Sequence, residues 1–386
     1  MNPHLLNSQL VTTIKDTLPM LRDASQSGNL AVLRSLLGPA YRGLVEHRAK
    51  GERSTALPAR HQTSFSWDYL RDRPQLARLY EAAKTSQWNV TTDLDFKQPI
   101  DPMSDEHALL PWDFLPVADL KGFRTQSLDN RCEQRRDMVA WLLSQFLHGE
   151  QGALYAACQV TEAVPWLDGK LYGSTQVQDE GRHVEVFHKY LTQKLEKKYE
   201  INDNLYVVID ALMTDSRWDM KFLGMQIMIE GLALGAFGML RQKTQEPLLK
   251  QLLTYVITDE ARHVHYGVLA LQEFTAQLTE KERREREDWA FEVSLFLKNR
   301  FYVHEFYDEH WAHEMTRRQW ERLVEQSQMM ALFRSTMFKR VIPNLKRIGL
   351  LSDRVRPRYA ELGLLGYEHG RAAPDLVAAD LLDDRV

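Results

Sequence analysis

Apolar residues recur at helical spacing through the middle of the chain, and two of the stripes they form are each interrupted by a glutamate. Leu143, Phe146, Leu147, Leu154 and Ala157 share one helix face with Glu150. Leu223, Ile227, Ala233, Leu234 and Phe237 surround Glu230 in the same way. No run of strict alternation long enough for a sheet competes with these stripes, so the pattern predicts an all-α protein. Between Asn130 and about Lys339 there are only two prolines, Pro165 and Pro247. Both stand where helices would be expected to begin or end.

The periodicity predicts helices over about 134–160, 170–197, 218–243 and 247–278. A further long helix is expected to start near Thr279, because Glu282 three residues on completes a capping box. Residues 1–60 read as irregular helices. Residues 87–130, with Pro99, Pro102, Pro111 and Pro116, read as an extended entry arm, and the Ala/Asp-rich tail beyond about 365 reads as loose. The expected division is 1–129 for the N-terminal helices and arm, 130–278 for a four-helix bundle, and 279–386 for C-terminal helices and tail.

Composition narrows the partners rather than the fold. A chain of 386 residues with 44% apolar and 26% charged residues has ample material for a buried core. The net charge of −4 and dispersed basic residues predict no nucleic-acid partner. Cys132 and Cys158 form neither a zinc motif nor a disulfide framework, which suits a reduced, cytoplasmic setting. Lys15, Asp16, Arg22 and Asp23 break up the first 25 residues, so no signal peptide is expected. The longest apolar run, 231–240, is about half of what a bilayer crossing requires, so no membrane insertion is expected.

The candidate chemistry lies in a repeated pattern: Asp179-Glu180-Gly181-Arg182-His183 and Asp259-Glu260-Ala261-Arg262-His263. Glu and His three apart on a helix point to one side, about a turn apart, and can serve one metal or bridge a pair. A single such pair is weak evidence. The spacing of the rest strengthens it: Glu150 precedes Glu180 by 30 residues, and Glu230 precedes Glu260 by 30. That interval suits two antiparallel helices, roughly a dozen residues or about 18 Å up and the same back, joined by a short turn. Each hairpin would set a lone glutamate level with a Glu-x-x-His pair. Unpaired carboxylates on apolar faces would cost several kcal/mol to bury, so Glu150 and Glu230 require partners. The competing reading is that the glutamates face solvent or pair with Arg182 and Arg262. Asp179 and Asp259 are placed to reach the histidine of the opposite hairpin and fix its tautomer, with Arg182 and Arg262 neutralising them; the competing reading there is ordinary surface ion pairing.

The pattern Glu150 … Glu180-x-x-His183 … Glu230 … Glu260-x-x-His263 resembles the ferritin-like di-iron carboxylate proteins over about residues 130–275. These include the hydroxylase subunits of bacterial multicomponent monooxygenases, the acyl-carrier-protein desaturases and the ribonucleotide reductase small subunit. The resemblance implies a ferritin-like four-helix bundle with extra N- and C-terminal helices. It implies two iron ions held by Glu150, Glu180, His183, Glu230, Glu260 and His263, with manganese or a mixed manganese–iron pair also compatible, and O2 as co-substrate. It further implies hydroxylation, epoxidation, desaturation or N-oxygenation of a small or medium apolar organic molecule, and a homodimer. No flavin, nicotinamide or iron–sulfur motif occurs, so electrons are expected from a separate reductase or ferredoxin. Two alternatives stand beside this: a radical-generating or ligand-binding oxidase like the reductase small subunit, and a non-enzymatic helical interaction protein.

Several positions depart from the better-known branches. Phe187 stands where the reductase subunit carries its radical tyrosine, and Leu234 where the monooxygenases have a threonine. Val256 replaces the third histidine of the arylamine oxygenases, and Gly152 and Met225 offer no valine–tyrosine crosslink. Phe146, Ala153, Phe187, Ala233, Leu234 and Phe237, a turn from the ligands, are the candidate lining of a substrate pocket; each reads equally well as bundle core. The small residues from Gly231 to Ala236 either bring helices close together or leave room for a ligand. His148, His188 and His265 fall off the ligand face and read as surface or capping histidines, with support of a ligand the lesser reading for His265.

Overall fold

In the computed structural model the described residues are 28–101 and 103–382; the expectations for residues 1–27 and for the last four residues lie outside them. No strand occurs among the described residues. Nine helices carry the argument: α1 (Leu30–Ala40), α2 (Pro74–Thr85), α3 (Leu128–Ala163), α4 (Leu167–Tyr190), α5 (Asp203–Thr214), α6 (Trp218–Lys243), α7 (Pro247–Thr275), α8 (Glu280–Asn299) and α9 (Gln328–Arg347). The bundle consists of two hairpins, α3 with α4 and α6 with α7, packed against each other.

Local chemistry sets the ends of these rods. Ser127 caps α3 by accepting from the Asn130 N–H, which starts the helix six residues before the periodicity does. Pro247 opens α7 at a position that needs no N–H, while the buried Glu246 carboxylate accepts from the Leu248 and Leu249 N–H groups. Thr279 and Glu282 form the expected capping box at the start of α8.

α6 is one rod with an interruption. It is α-helical at Trp218–Phe222 and Glu230–Lys243, and Leu223–Ile229 between them is a π segment. Such wide turns re-aim the residues that follow them and occur frequently at functional sites. Here the residue that follows is Glu230. By length and composition α6 could cross a membrane, but 89% of its apolar window is buried inside the protein. Its apolarity is that of a core helix.

The crossover between the hairpins contains a helix absent from the periodicity reading, α5, which packs on α3 and α1. The other unforeseen helix, α2, lies across α4 and α7 and delivers Trp88 to the bundle. α8 covers α5 and the π segment, and α9 lies along α6. The tail, expected to be loose, instead turns back on α7 up to Leu382. One continuous apolar core runs through all of these elements.

Candidate metal centre

The structure brings all six candidate ligands together at the centre of the bundle. Glu150 comes from α3, Glu180 and His183 from α4, Glu230 from α6, and Glu260 and His263 from α7. None is more than 4% exposed. Their donor atoms fall into two overlapping groups: Glu150, Glu180, His183 and Glu260 in one, and Glu180, Glu230 and His263 in the other. Within each group the atoms lie within 4.8 Å of one another.

The arrangement is close to twofold. His183 Nδ1 lies 3.2 Å from Glu150 Oε2 and 3.1 Å from Glu260 Oε1. His263 Nδ1 lies 3.1 Å from Glu180 Oε1 and 3.6 Å from Glu260 Oε1. Glu180 and Glu260 thus reach both imidazoles, whereas Glu150 and Glu230 stand at the outer ends. A lone glutamate from each of two helices and a Glu-x-x-His pair from each of the other two thus converge on one point, as the spacing in the sequence predicts.

The site fits a pair of metal ions by what it leaves unpaired. Among the described residues, Glu180 Oε2, Glu230 Oε2, both Glu260 oxygens and His263 Nδ1 are buried without a hydrogen bond. His263 Nδ1 and Glu180 Oε1 are close but not aligned as donor and acceptor. Buried polar atoms are nearly always paired, so five orphans in one cluster mark a place for something that accepts lone pairs. Two divalent cations would satisfy them and cancel the charge of four carboxylates.

Charge distribution follows the same logic. Burial raises the Glu150 and Glu230 carboxyls well above the ordinary carboxylate range, and neighbouring Glu260 raises them further. Burial also opposes ionisation of Glu180, but the His263 and His183 imidazoles outweigh it and hold that carboxyl below its usual range. The imidazoles themselves are held well above the ordinary histidine value. Burial opposes this, and Asp259 and Glu150 at His183, and Glu180 at His263, overcome it.

Behind each imidazole sits an aspartate of the other hairpin. His183 Nε2 lies 3.2 Å from Asp259 Oδ2, and His263 Nε2 lies 3.2 Å from Asp179 Oδ2. With Nε2–H donating outward, Nδ1 is left to face the paired carboxylates. Arg182 donates to Asp179 and, at 3.2 Å, to Asp259. Arg262 donates to Asp259 and lies 3.6 Å from Asp179. Two aspartates and two arginines therefore form a neutral square that ties the hairpins together.

Periodicity did not single out three further contributors. Trp88, just after α2, donates from Nε1 to Asp259 Oδ2 at 2.7 Å and lies against the Tyr255 ring. Gln176 Nε2 donates to Glu180 Oε1 at 3.2 Å and to Glu230 Oε1 at 3.0 Å. Gln226, in the π segment, donates to Gln176 Oε1 at 3.4 Å. The glutamines had a signal in the sequence, since each stands four residues before a candidate ligand. Trp88 had none, because its approach depends on how α2 docks.

Beside the carboxylates is a cavity of about 20 Å³, room for a water-sized occupant. Phe146, Ala153, Ala233 and Phe237 line it, together with Glu150, Glu230, Glu260 and Arg300. Phe187 and Leu234 do not; Phe187 packs behind Phe146 and Phe237, with ring centroids 6.1 and 5.8 Å away. Of the other histidines, His148 bonds the Tyr199 carbonyl at 3.0 Å, His188 is exposed, and His265 borders a surface groove near α2.

The chain matches no family model and no curated protein. Among solved structures it is similar to an R2-like ligand-binding oxidase with an aerobically reconstituted metal cofactor after photoconversion. The identity is 19% and the TM-score 0.48, over 71% of this chain and 93% of that one. A second structure of an R2-like ligand-binding oxidase, with an aerobically reconstituted Mn/Fe cofactor, is 20% identical with a TM-score of 0.47, over 74% and 94%.

Proposed function

We propose that the chain is an O2-dependent oxidoreductase built around two transition-metal ions. The observation that carries this reading is the cluster of buried, unpaired donor atoms on Glu180, Glu230, Glu260 and His263 at the meeting point of both hairpins. Glu150, Glu180, His183 and Glu260 would hold one ion, and Glu180, Glu230 and His263 the other. Hard oxygen donors with one imidazole per metal suit iron, manganese or a mixed pair. When bound and reduced, such a pair supplies the electrons for activating O2.

The chain's own residues determine what surrounds that chemistry. Asp179 and Asp259 hold the imidazoles in register, and Gln176 holds the Glu180 and Glu230 carboxylates in place. Phe146, Ala153, Ala233 and Phe237 keep bulk water from the open side. Electrons would come from a separate reductase or ferredoxin, because the chain carries no redox cofactor motif of its own.

The primary reading is oxygenation or desaturation of a small or medium organic molecule. One observation favours a second reading, an oxidase that generates a radical or retains a ligand and turns over no external substrate. At about 20 Å³ the cavity admits a water-sized occupant and no more without rearrangement. Metal analysis of the purified protein tests the shared premise: two ions per chain are expected, and Glu180→Ala and Glu260→Ala are expected to lose both. Full occupancy in either variant would sink the ligand assignment. Exposing the reduced protein to O2 separates the two readings. A persistent organic radical in the electron paramagnetic resonance spectrum favours the second, and rapid oxidation without one favours the first.

A further inference from the structure

His265 stands two residues after the candidate ligand His263, about 200° further round α7, and so faces away from the metal centre. On that side α2 and α7 enclose a groove of about 620 Å³, the size of a small-molecule site. α2 contributes Gln75, Arg78, Leu79 and Ala82, and α7 contributes His265, Leu269, Gln272 and Glu273. Each set is one helix face about two turns, or about 10 Å, long. Arg347, the last residue of α9, and Pro374, in the turn Ala373–Asp375, complete the wall.

Leu79, Ala82, Leu269 and Pro374 give the groove an apolar side, while Gln75, Arg78, Gln272 and Arg347 supply hydrogen-bond donors. Arg347 is held in place. Its Nε donates to Gln272 Oε1 at 3.3 Å, and its Nη1 lies 3.5 Å from Asp375 Oδ2. Turning its carbonyl to Arg347 leaves the Gln272 NH2 free to donate. Glu273, the one acid of the lining, is matched by Arg73, and Asp375 is matched by Arg347. Arg78 is exposed and has no ion pair or hydrogen bond among the described residues. Its charge is the unmatched one, so the groove carries a surplus positive charge.

A phosphate ester satisfies these donors better than a carboxylate does. A carboxylate offers two oxygens and is filled by one guanidinium fork. A phosphate monoester spreads up to two charges over three terminal oxygens, so groups on separate elements can share it. Inorganic phosphate would fill a small part of the groove and leave its apolar side uncovered.

We propose that the groove between α2 and α7 binds a phosphate monoester of an organic molecule. Arg78 and Arg347 hold the phosphate, and Leu79, Leu269 and Pro374 cover the organic part. The proposal stands apart from the metal reading, since no candidate ligand lines the groove.

Calorimetric titration of the full-length protein with adenosine monophosphate and octyl phosphate tests this. At least one of the two is expected to bind, at one per chain, and the tighter one identifies the organic part as a flat ring or an alkyl chain. Adenosine and octanoate, which lack the phosphate, are expected to displace the bound ester only at concentrations tenfold higher or more. Arg78→Gln and Arg347→Gln are each expected to weaken the ester tenfold or more. Without ligand, Arg78→Gln breaks no ion pair and is expected to melt as wild type does, which separates a ligand-holding role from a structural one.

The proposal is overturned if neither ester saturates, if octanoate displaces the bound ester as effectively as the ester itself, or if Arg78→Gln binds it as wild type does. Metal content measured on the same samples keeps the two ideas apart. Two ions per chain with Arg78-independent binding defeats this proposal alone; Arg78-dependent binding without bound metal supports it and defeats the metal reading alone.

Discussion

Gln176 shows how much of the site depends on single hydrogen bonds. Its amide donates to two carboxylates from different hairpins, Glu180 and Glu230, and so fixes the separation of two candidate ligands. Gln176→Leu keeps the volume and removes both donors. Metal stoichiometry is expected to stay at two while affinity falls about 10–100-fold, as measured by competition with a chelator. A pH dependence belongs at the same scale. The Glu150 and Glu230 carboxyls and both imidazoles are held well above their ordinary values, which favours their protonated forms in the metal-free protein. Metal ions must displace those protons. Uptake is therefore expected to release protons into an unbuffered solution, and affinity to rise with pH by about tenfold per unit for each proton displaced. Affinity that is flat between pH 6 and 8 would contradict this. Trp88 is legible only at this scale, because nothing in its sequence context signals the hydrogen bond to Asp259.

Glycines at the contact of α6 with α9 settle a question that the periodicity left open. A Cβ on Gly235 would sit 2.7 Å from Met337 Cα and 2.7 Å from the Thr336 carbonyl, both backbone atoms. One on Gly231 would meet its nearest neighbour, a Val341 methyl, at 3.5 Å, an ordinary contact. Gly235 thus lets α9 approach, whereas Ala233 on the same helix lines the cavity beside the carboxylates. Gly235→Ala is expected to destabilise by roughly 1–3 kcal/mol, since neither helix backbone can yield cheaply. Gly231→Ala is expected to be neutral or to stabilise by up to about 1 kcal/mol through higher helix propensity. Denaturant unfolding of the two variants side by side checks the contrast. The ends of the rods were legible where chemistry marks them, as at Pro247 and at Thr279 with Glu282. The π segment of α6 was not, because Leu223–Ile229 carries the same apolar period in either winding.

The two hairpins meet at the ligand cluster, so metal binding and stability of the whole molecule are coupled. An ion pair bound only by the folded chain stabilises it by about 2.7 kcal/mol when free metal exceeds the dissociation constant 100-fold. Chelation is expected to lower the melting temperature and leave helical circular dichroism at room temperature intact, since one apolar core runs through every helix. Loss of helicity on chelation would show that the core does not suffice. Sequence alone determined the all-α class and the four bundle helices, because a buried helix face writes its period into the chain. It also determined the six convergent donors, because Glu-x-x-His and a 30-residue hairpin interval are local geometry. Tertiary structure decided what depends on segments far apart in the chain. It delivered Trp88 to Asp259 over 171 residues, folded the tail onto α7, and shrank the expected pocket to a cavity with Arg300 in its wall. Those contacts depend on how helices dock, and docking leaves no period in a sequence.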